Sequence, residues 1–357
     1  MNNSTLKGID YVEFYVANSY QAAHFYKSTL GFDIIAYGGP ETGLADKKSY
    51  IVEQGTIRFI LSSPIEMHSL IHQHIVTHDD GVRDIAFLSS DVKSDFKRAI
   101  DNGARPILSP VDLEGHGLKV KIATIACFGD TVHTFIQREK NESWAMPFYR
   151  AFTNNKNTTE IGLLEIDHIA IALEKNQLSI WKGFYQNVLE FQLTHKEDVY
   201  TEYSGMNSLV MSNSTGTIKF PLVEPAQGSK KSQIDSYLES YGSSGVQHIA
   251  LRSKNIIHAA QTLKAQGIEF LNIPASYYDN VCEGIFSDYR EKLSMIKDLG
   301  ILIDTDQKGI LMQIFSKPLQ SRPTFFVEVI QRDNRGGFGS QNIKALFEAI
   351  ERERKTN

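Results

Sequence analysis

Three polar residues stand in the middle of strongly apolar runs: His168 in "IDHIAIA", His248 in "VQHIAL" and Glu328 in "FFVEVI". Each run reads as a buried strand, where an imidazole or a carboxylate must find a partner or lose hydration free energy. Each is 80 residues from the next, so no local motif unites them and each comes from a different strand. Two neutral imidazoles and one carboxylate on one side of a metal form the facial triad of non-heme Fe(II) oxygenases, which leaves open positions for substrate and O2. A metal also accounts for Glu328. An unpaired carboxylate between Val327 and Val329 is costly to bury, and a cation neutralises it.

The elements that must position these residues come from a diverged duplication. Early in the chain, "GIDYVEFYVANSYQAAHFYKSTLGFDIIAY" reads as strand, Asn18 cap, amphipathic helix, Gly31 stop and strand. Later, "EIDHIAIALEKNQLSIWKGFYQNVLEFQLT" repeats that order. A second pair starts at Gly81 and Gly245, and a third ends at Arg138 and Arg332. Aligning the halves turns Tyr11 into His168, Asp84 into His248 and Thr134 into Glu328. The metal-ligating types thus arise together, at equivalent strand positions, in one half. The polar stretch "NNKNTTE" at 154–160 has the composition of a linker, which divides the chain into residues 1–154, without metal, and 155–357, with it. The expected class is α+β, each half a curled, strand-rich sheet around a central space.

At 357 residues and a net charge of −5, with no long block of one sign, the chain carries no electrostatic footprint for nucleic acid or an anionic membrane. Its two cysteines, Cys127 and Cys282, are far apart; this argues against a disulfide framework or thiolate zinc site and fits a reducing cytoplasm. No signal-peptide core is visible in "MNNSTLKGID", and the apolar runs are too short and too charged to span a bilayer. The segment "MHSLIHQHIVTHDD" holds His68, His72, His74 and His78, of which His68 and His72 could share a helix face. With no acidic or cysteine partner fixed nearby, it reads as a solvated loop. "GGFGSQN" lacks the Lys-Ser/Thr ending of a phosphate loop.

The motifs "DHIAIA", "KKSQIDSYL", "GVQHIAL", "SYYD", "LMQIFSKP", "RPTFFVEVIQR" and "GGFGSQNIKALFEAIE", in this order, resemble the 4-hydroxyphenylpyruvate dioxygenase and 4-hydroxymandelate synthase family of the vicinal oxygen chelate superfamily. The resemblance covers nearly the whole chain. It implies two vicinal-oxygen-chelate domains, each an open β-barrel built from paired βαβββ modules, the first vestigial and the second catalytic. It makes His168, His248 and Glu328 the ligands of Fe(II), with 4-hydroxyphenylpyruvate and O2 as substrates and CO2 as one product. The 2-oxo acid is implied to chelate the iron through its carboxylate and keto oxygens. Ser208, Gln233 and Gln313 fall on pocket positions of the family, and Phe315, Phe338 and Phe347 on apolar walls. The emptied first half offers a packing surface, including one for a second copy in a homo-oligomer.

Two positions near the expected aryl site depart from the dioxygenase pattern. Where dioxygenases resemble "PINEP" and "GFGKGNF", this chain reads "PLVEP" and "GFGSQNI", so Val223 replaces an Asn and Ile343 replaces a Phe. The synthases are similar to this chain at both positions, whereas Pro221 and "KKSQI" are of the dioxygenase type. The expectation is therefore 4-hydroxymandelate as product, with homogentisate as the alternative. Ile343 also falls on a helix face with Leu346, Phe347 and Ile350 after an Asn342 cap. Members of the superfamily that only bind ligands lack such a triad, glyoxalase-type lyases use four protein ligands, and extradiol ring cleavers lack the terminal "GFG" motif.

Overall fold

The computed structural model describes residues 5–139, 145–152, 159–275, 277–278, 291–306, 309–333, 337–339 and 341–348. Most of the linker read at 154–160, together with Cys282 and Ile350, lies outside the described residues.

The first half runs β1 (Leu6–Tyr15), α1 (Ser19–Leu30), β2 (Asp33–Gly38), β3 (Lys47–Gln54) and β4 (Ile57–Pro64). After α2 (Leu70–His78) it repeats the pattern with β5 (Gly81–Ser89), α3 (Val92–Asp101), β6 (Pro106–Gly115), β7 (Leu118–Ala126) and β8 (Val132–Arg138). A short β9 (Arg150–Ala151) adds to the edge at β2. The second half has β10 (Leu163–Ala172), α4 (Leu178–Leu189), β11 (Gln192–Tyr200), β12 (Gly205–Ser212) and β13 (Lys219–Ala226). Then come α5 (Gln233–Tyr241), β14 (Gly245–Ser253), α6 (Ile256–Ala265), β15 (Leu302–Asp306), β16 (Gly309–Phe315) and β17 (Phe326–Asp333). Each half is two βαβββ modules, and the class is α+β, as expected.

Local chemistry fixes the helix ends at equivalent places. The Asn18 side chain accepts from the Gln21 N–H to start α1, and Gly31, at φ 72°, ends it. Asp91 and Asn255 cap α3 and α6 in the same way.

The second-half sheet has the order β11-β12-β13-β10-β14-β17-β16-β15, and the first-half sheet the same order with β9 appended: β9-β2-β3-β4-β1-β5-β8-β7-β6. In both, the modules meet at an antiparallel pair, β1 with β5 and β10 with β14. Alternation along the strands then separates two environments. Ile169, Ile171, Ile249, Leu251, Val327 and Val329 join the main core, which spans both halves. The opposite face of the same strands carries His168, Ala170, His248 and Glu328.

Candidate metal centre and substrate cavity

Strand register brings the three distant residues together. His168 on β10 lies opposite Ala250 on β14, and Ala250 lies opposite Glu328 on β17. His248 is two residues earlier on β14, so it points to the same face. The Nε2 of His168 is 3.3 Å from Glu328 Oε2, and that of His248 is 3.5 Å from the same oxygen. All three residues are buried, and their donor atoms lie within 4.8 Å of one another.

The other nitrogen of each imidazole is held by the preceding residue. His168 Nδ1 donates to Asp167 Oδ1 at 2.9 Å, and His248 Nδ1 donates to Gln247 Oε1 at 3.3 Å. A register shift between Ile166 and His168 is the bulge that lets consecutive residues serve one site. Arg332 clamps Asp167 with Nε and Nη2, at 2.8 and 2.9 Å. Such outer contacts set the tautomer and aim the lone pair of a ligating histidine.

Glu328 is tied from its other side. Gln313 Nε2 donates to Glu328 Oε1 at 2.9 Å, and Gln313 Oε1 accepts from Asn342 Nδ2 at 2.8 Å. Asn342 Oδ1 in turn accepts from the Tyr277 hydroxyl at 2.7 Å. Asn342, read from sequence as a helix cap, is instead fully buried within the 341–348 helix. Its amide is drawn into this chain because Gln313 would otherwise keep a buried acceptor unpaired.

Burial alone would raise the Glu328 carboxyl, but the His168 and His248 imidazoles outweigh it and hold the group down to about 2. His168 is pushed up against its own burial, chiefly by Glu328, while burial lowers His248. A carboxylate that stays ionised in an apolar shell, facing two imidazole nitrogens, is a donor set for a divalent cation in place of the proton. Two nitrogens and one oxygen also match the ligand preference of ferrous iron.

Beside the triad lies a partly enclosed cavity whose lining combines apolar side chains with a few polar groups, the character of small-molecule sites. Ser208, Gln233, Gln313, Phe315, Phe338, Val223 and Ile343 all line it. Phe338 stands edge-on to the His168 ring at 5.1 Å. Ser208 donates to the Glu197 carbonyl at 2.6 Å. Phe347 does not line the cavity: it is fully buried behind the wall, in a cluster with Val223, Met206 and Tyr237 against which Ile343 packs. Gln247, His195 and Glu197 also face the cavity without having been singled out. Gln247 carried a signal, since it precedes His248 as Asp167 precedes His168.

The histidine-rich segment departs from expectation. Residues 70–78 form α2 rather than a solvated loop, with His74 and His78 buried. The acidic partner absent from the local sequence is Asp130, in the turn before β8, whose Oδ2 is 2.6 Å from His74 Nδ1.

Comparison with known proteins gives the family. The model described as "Hydroxyphenylpyruvate dioxygenase, HPPD, N-terminal" matches residues 1–151, and that of the glyoxalase, bleomycin resistance protein and dioxygenase superfamily matches 165–313. A 4-hydroxyphenylpyruvate dioxygenase of Coccidioides posadasii is 40% identical over 97% of this chain and 93% of its own length. The chain belongs to the 4-hydroxyphenylpyruvate dioxygenase family, within the vicinal oxygen chelate superfamily. The Xenopus tropicalis member is 41% identical, covering 96% of this chain and 90% of itself. Among solved structures, a triple mutant of 4-hydroxymandelate synthase from Streptomyces coelicolor superposes with a TM-score of 0.89 at 30% identity, covering 98% of this chain and 99% of that one. Family membership carries dioxygenase chemistry. No described helix is long and apolar enough to cross a membrane.

Proposed function

We propose that this chain oxidatively decarboxylates 4-hydroxyphenylpyruvate with O2, using Fe(II) held by His168, His248 and Glu328. The carrying observation is the convergence of those three buried donors on the wall of a cavity with an aromatic and amide lining. Bound ferrous iron supplies the O2 activation and Lewis acidity that couple loss of CO2 to insertion of oxygen. The protein's part is positioning. Two neutral imidazoles and one carboxylate leave the ferrous centre with about one net positive charge, which favours an anionic 2-oxo acid over water. Ser208, Gln233 and Gln247 offer hydrogen bonds to the substrate's carboxylate and phenol, and Phe315 and Phe338 exclude water around the ring.

Homogentisate is the product reading that overall similarity supports better, since relatives at 40–41% identity along nearly the whole chain carry the dioxygenase name. A second reading, 4-hydroxymandelate, is favoured by Val223 and Ile343, which both stand on the cavity wall in place of the amide and aromatic ring of the dioxygenase pattern. The two products are isomers that differ in which carbon is oxygenated. A tenfold preference needs only about 1.4 kcal/mol between the two barriers. The deciding experiment loads the protein with Fe(II) anaerobically, adds 4-hydroxyphenylpyruvate, admits O2 and identifies the aromatic product. Homogentisate establishes the first reading and 4-hydroxymandelate the second. If CO2 release does not depend on O2 and iron, both are wrong.

A further inference from the structure

The two halves meet at a second cluster of metal-ligating residues. His74 and His78 sit one turn apart on α2, on the same buried face. Asp130 reaches them from the turn before β8, and the three donor atoms lie within 4.8 Å of one another. The surroundings tie this cluster to the second half. Arg322 donates to the carbonyls of Thr77 and Val76 at the end of α2. The His78 ring stacks on Tyr241 of α5, with centroids 4.5 Å apart.

His78 fixes the reading. Its Nδ1 is 2.6 Å from the Tyr241 carbonyl, and a carbonyl only accepts, so Nδ1 carries the proton. In the neutral ring, Nε2 therefore presents a lone pair, and it faces Asp130 Oδ2 at 3.7 Å. Two acceptors set opposite each other leave a position for a cation between them, with His74 Nδ1, 2.6 Å from the same oxygen, as the third donor. His78 is thus oriented as His168 and His248 are, donating from Nδ1 and turning Nε2 toward a carboxylate, whereas His74 meets the same Asp130 oxygen through Nδ1 at 2.6 Å.

Unpaired atoms point the same way. His74 Nε2 and Asp130 Oδ1 are buried without a hydrogen-bond partner, and so is the Tyr241 hydroxyl. The side chain of His74 is 1% exposed. Its Nε2 and the Tyr241 hydroxyl border the same space beside Gly81, where a Cβ would lie 3.1 and 2.7 Å from them. The Arg83 guanidinium is 3.9 Å from Asp130 Oδ2, beyond hydrogen-bond reach, so the near neighbour of that oxygen is His74 Nδ1, at 2.6 Å.

We infer that His74, His78 and Asp130 form a second divalent-cation site, separate from the triad, that fastens α2 of the first half against α5 of the second. Two imidazoles and one carboxylate suit zinc or a neighbouring first-row ion. Since α5 begins at Gln233, which lines the substrate cavity, the ion sits where it stiffens that wall.

The test uses the full-length chain without a purification tag, stripped of metal and titrated with Zn(II), with bound metal counted after gel filtration. About two equivalents are expected, one for each site. Glu328→Ala should keep about one, as should His74→Ala, with the remaining ion at α2 in the first variant and at the triad in the second. Asp130→Asn, a near-isosteric change in a partly exposed turn, repeats the His74 test without disturbing the helix. Co(II) added to Glu328→Ala should give visible d–d absorption that Glu328→Ala with Asp130→Asn lacks. A Glu328→Ala protein that binds no stoichiometric Zn(II), or an Asp130→Asn protein that still binds two equivalents, overturns the inference.

Discussion

In the first half, Tyr11, Asp84 and Thr134 occupy the rungs that His168, His248 and Glu328 occupy in the second. Tyr11 faces Ala86, and Ala86 faces Thr134, just as His168 faces Ala250 and Ala250 faces Glu328. The sheets share strand order and a register shift just before the first position. What differs is the filling. The first sheet's inner face closes on an apolar cluster in which Tyr11, Ile51, Ile60 and Ile136 pack with Met146 and Tyr149, residues that follow β8. The second keeps its inner face open to a cavity. A scaffold that aims side chains at a common point is thus separable from the choice to ligate a metal there.

The comparison is broken most directly at its third position. Glu328→Ala should abolish stoichiometric iron binding at the triad and lower turnover by at least roughly a thousandfold, because the remaining imidazoles cannot neutralise and hold the ion. Thr134→Ala, on the equivalent rung, should leave iron content and turnover unchanged. Metal analysis and O2 uptake on both proteins check this. Iron retained by Glu328→Ala at the level of the unaltered chain removes the site assignment.

An aspartate–arginine clasp is common to both halves and sharpens the contrast. Arg138 grips Asp10 at 2.9 and 2.6 Å, as Arg332 grips Asp167. Since the first half keeps the clasp without a metal triad beside it, its shared role is to close the sheet. Only Asp167 also receives a histidine Nδ1. Asp167→Asn should therefore weaken iron binding about 10–100-fold, whereas Asp10→Asn should leave iron affinity unchanged and lower only the melting temperature. Equal effects on iron would mean that the contact to His168 contributes nothing.

The cavity that distinguishes the second half can be tested by its product. Ile343→Phe should move the product ratio toward homogentisate, further with Val223→Asn, by about fivefold if one aromatic contact of roughly 1 kcal/mol is restored. Chromatography of the aromatic products measures it. An unchanged ratio in the double variant detaches product choice from these two positions.

Which of these features the sequence could reveal follows from how local their signals are. His168, His248 and Glu328 were legible because each interrupts an apolar strand and each has a silent counterpart in the other half. Asn18 and Gly31 were legible because helix ends are set by neighbouring residues. The chain from Glu328 through Gln313 and Asn342 to Tyr277 was not, since it joins four separate segments and depends on side-chain direction. Asn342 looked like a cap for want of that information. His74 and His78 looked solvated because the surfaces that bury them, Asp130 and Tyr241, lie 56 and 163 residues away in the chain. Phe347 shares a helix with Ile343, but which residue touched the cavity depended on the helix's rotation.

The smallest effect expected is on stability, at the position where the first half keeps a carboxyl without a metal. Asp84 accepts from the Thr134 N–H and the Tyr11 hydroxyl, at 3.1 and 3.3 Å. Burial, reinforced by Glu13, lifts its carboxyl from the ordinary range to about 7 against those bonds. The folded state therefore holds this proton more tightly than the unfolded chain does. The stability this contributes is fully present below the ordinary carboxylate range and is lost as pH rises through about 7. Asn at this position can still accept from Thr134 and has no charge to bury, so Asp84→Asn should gain on the unaltered protein as pH rises from about 5 to 8. One pKa unit of displacement is worth about 1.4 kcal/mol, so a relative gain of at least about 1 kcal/mol is expected. Denaturant unfolding of both proteins across that range measures it. Parallel profiles would show that Asp84 is ionised in the folded state. The first half would then hold an unneutralised buried anion on the His248 rung, and Asp84 could no longer be read as the neutral counterpart of the metal site.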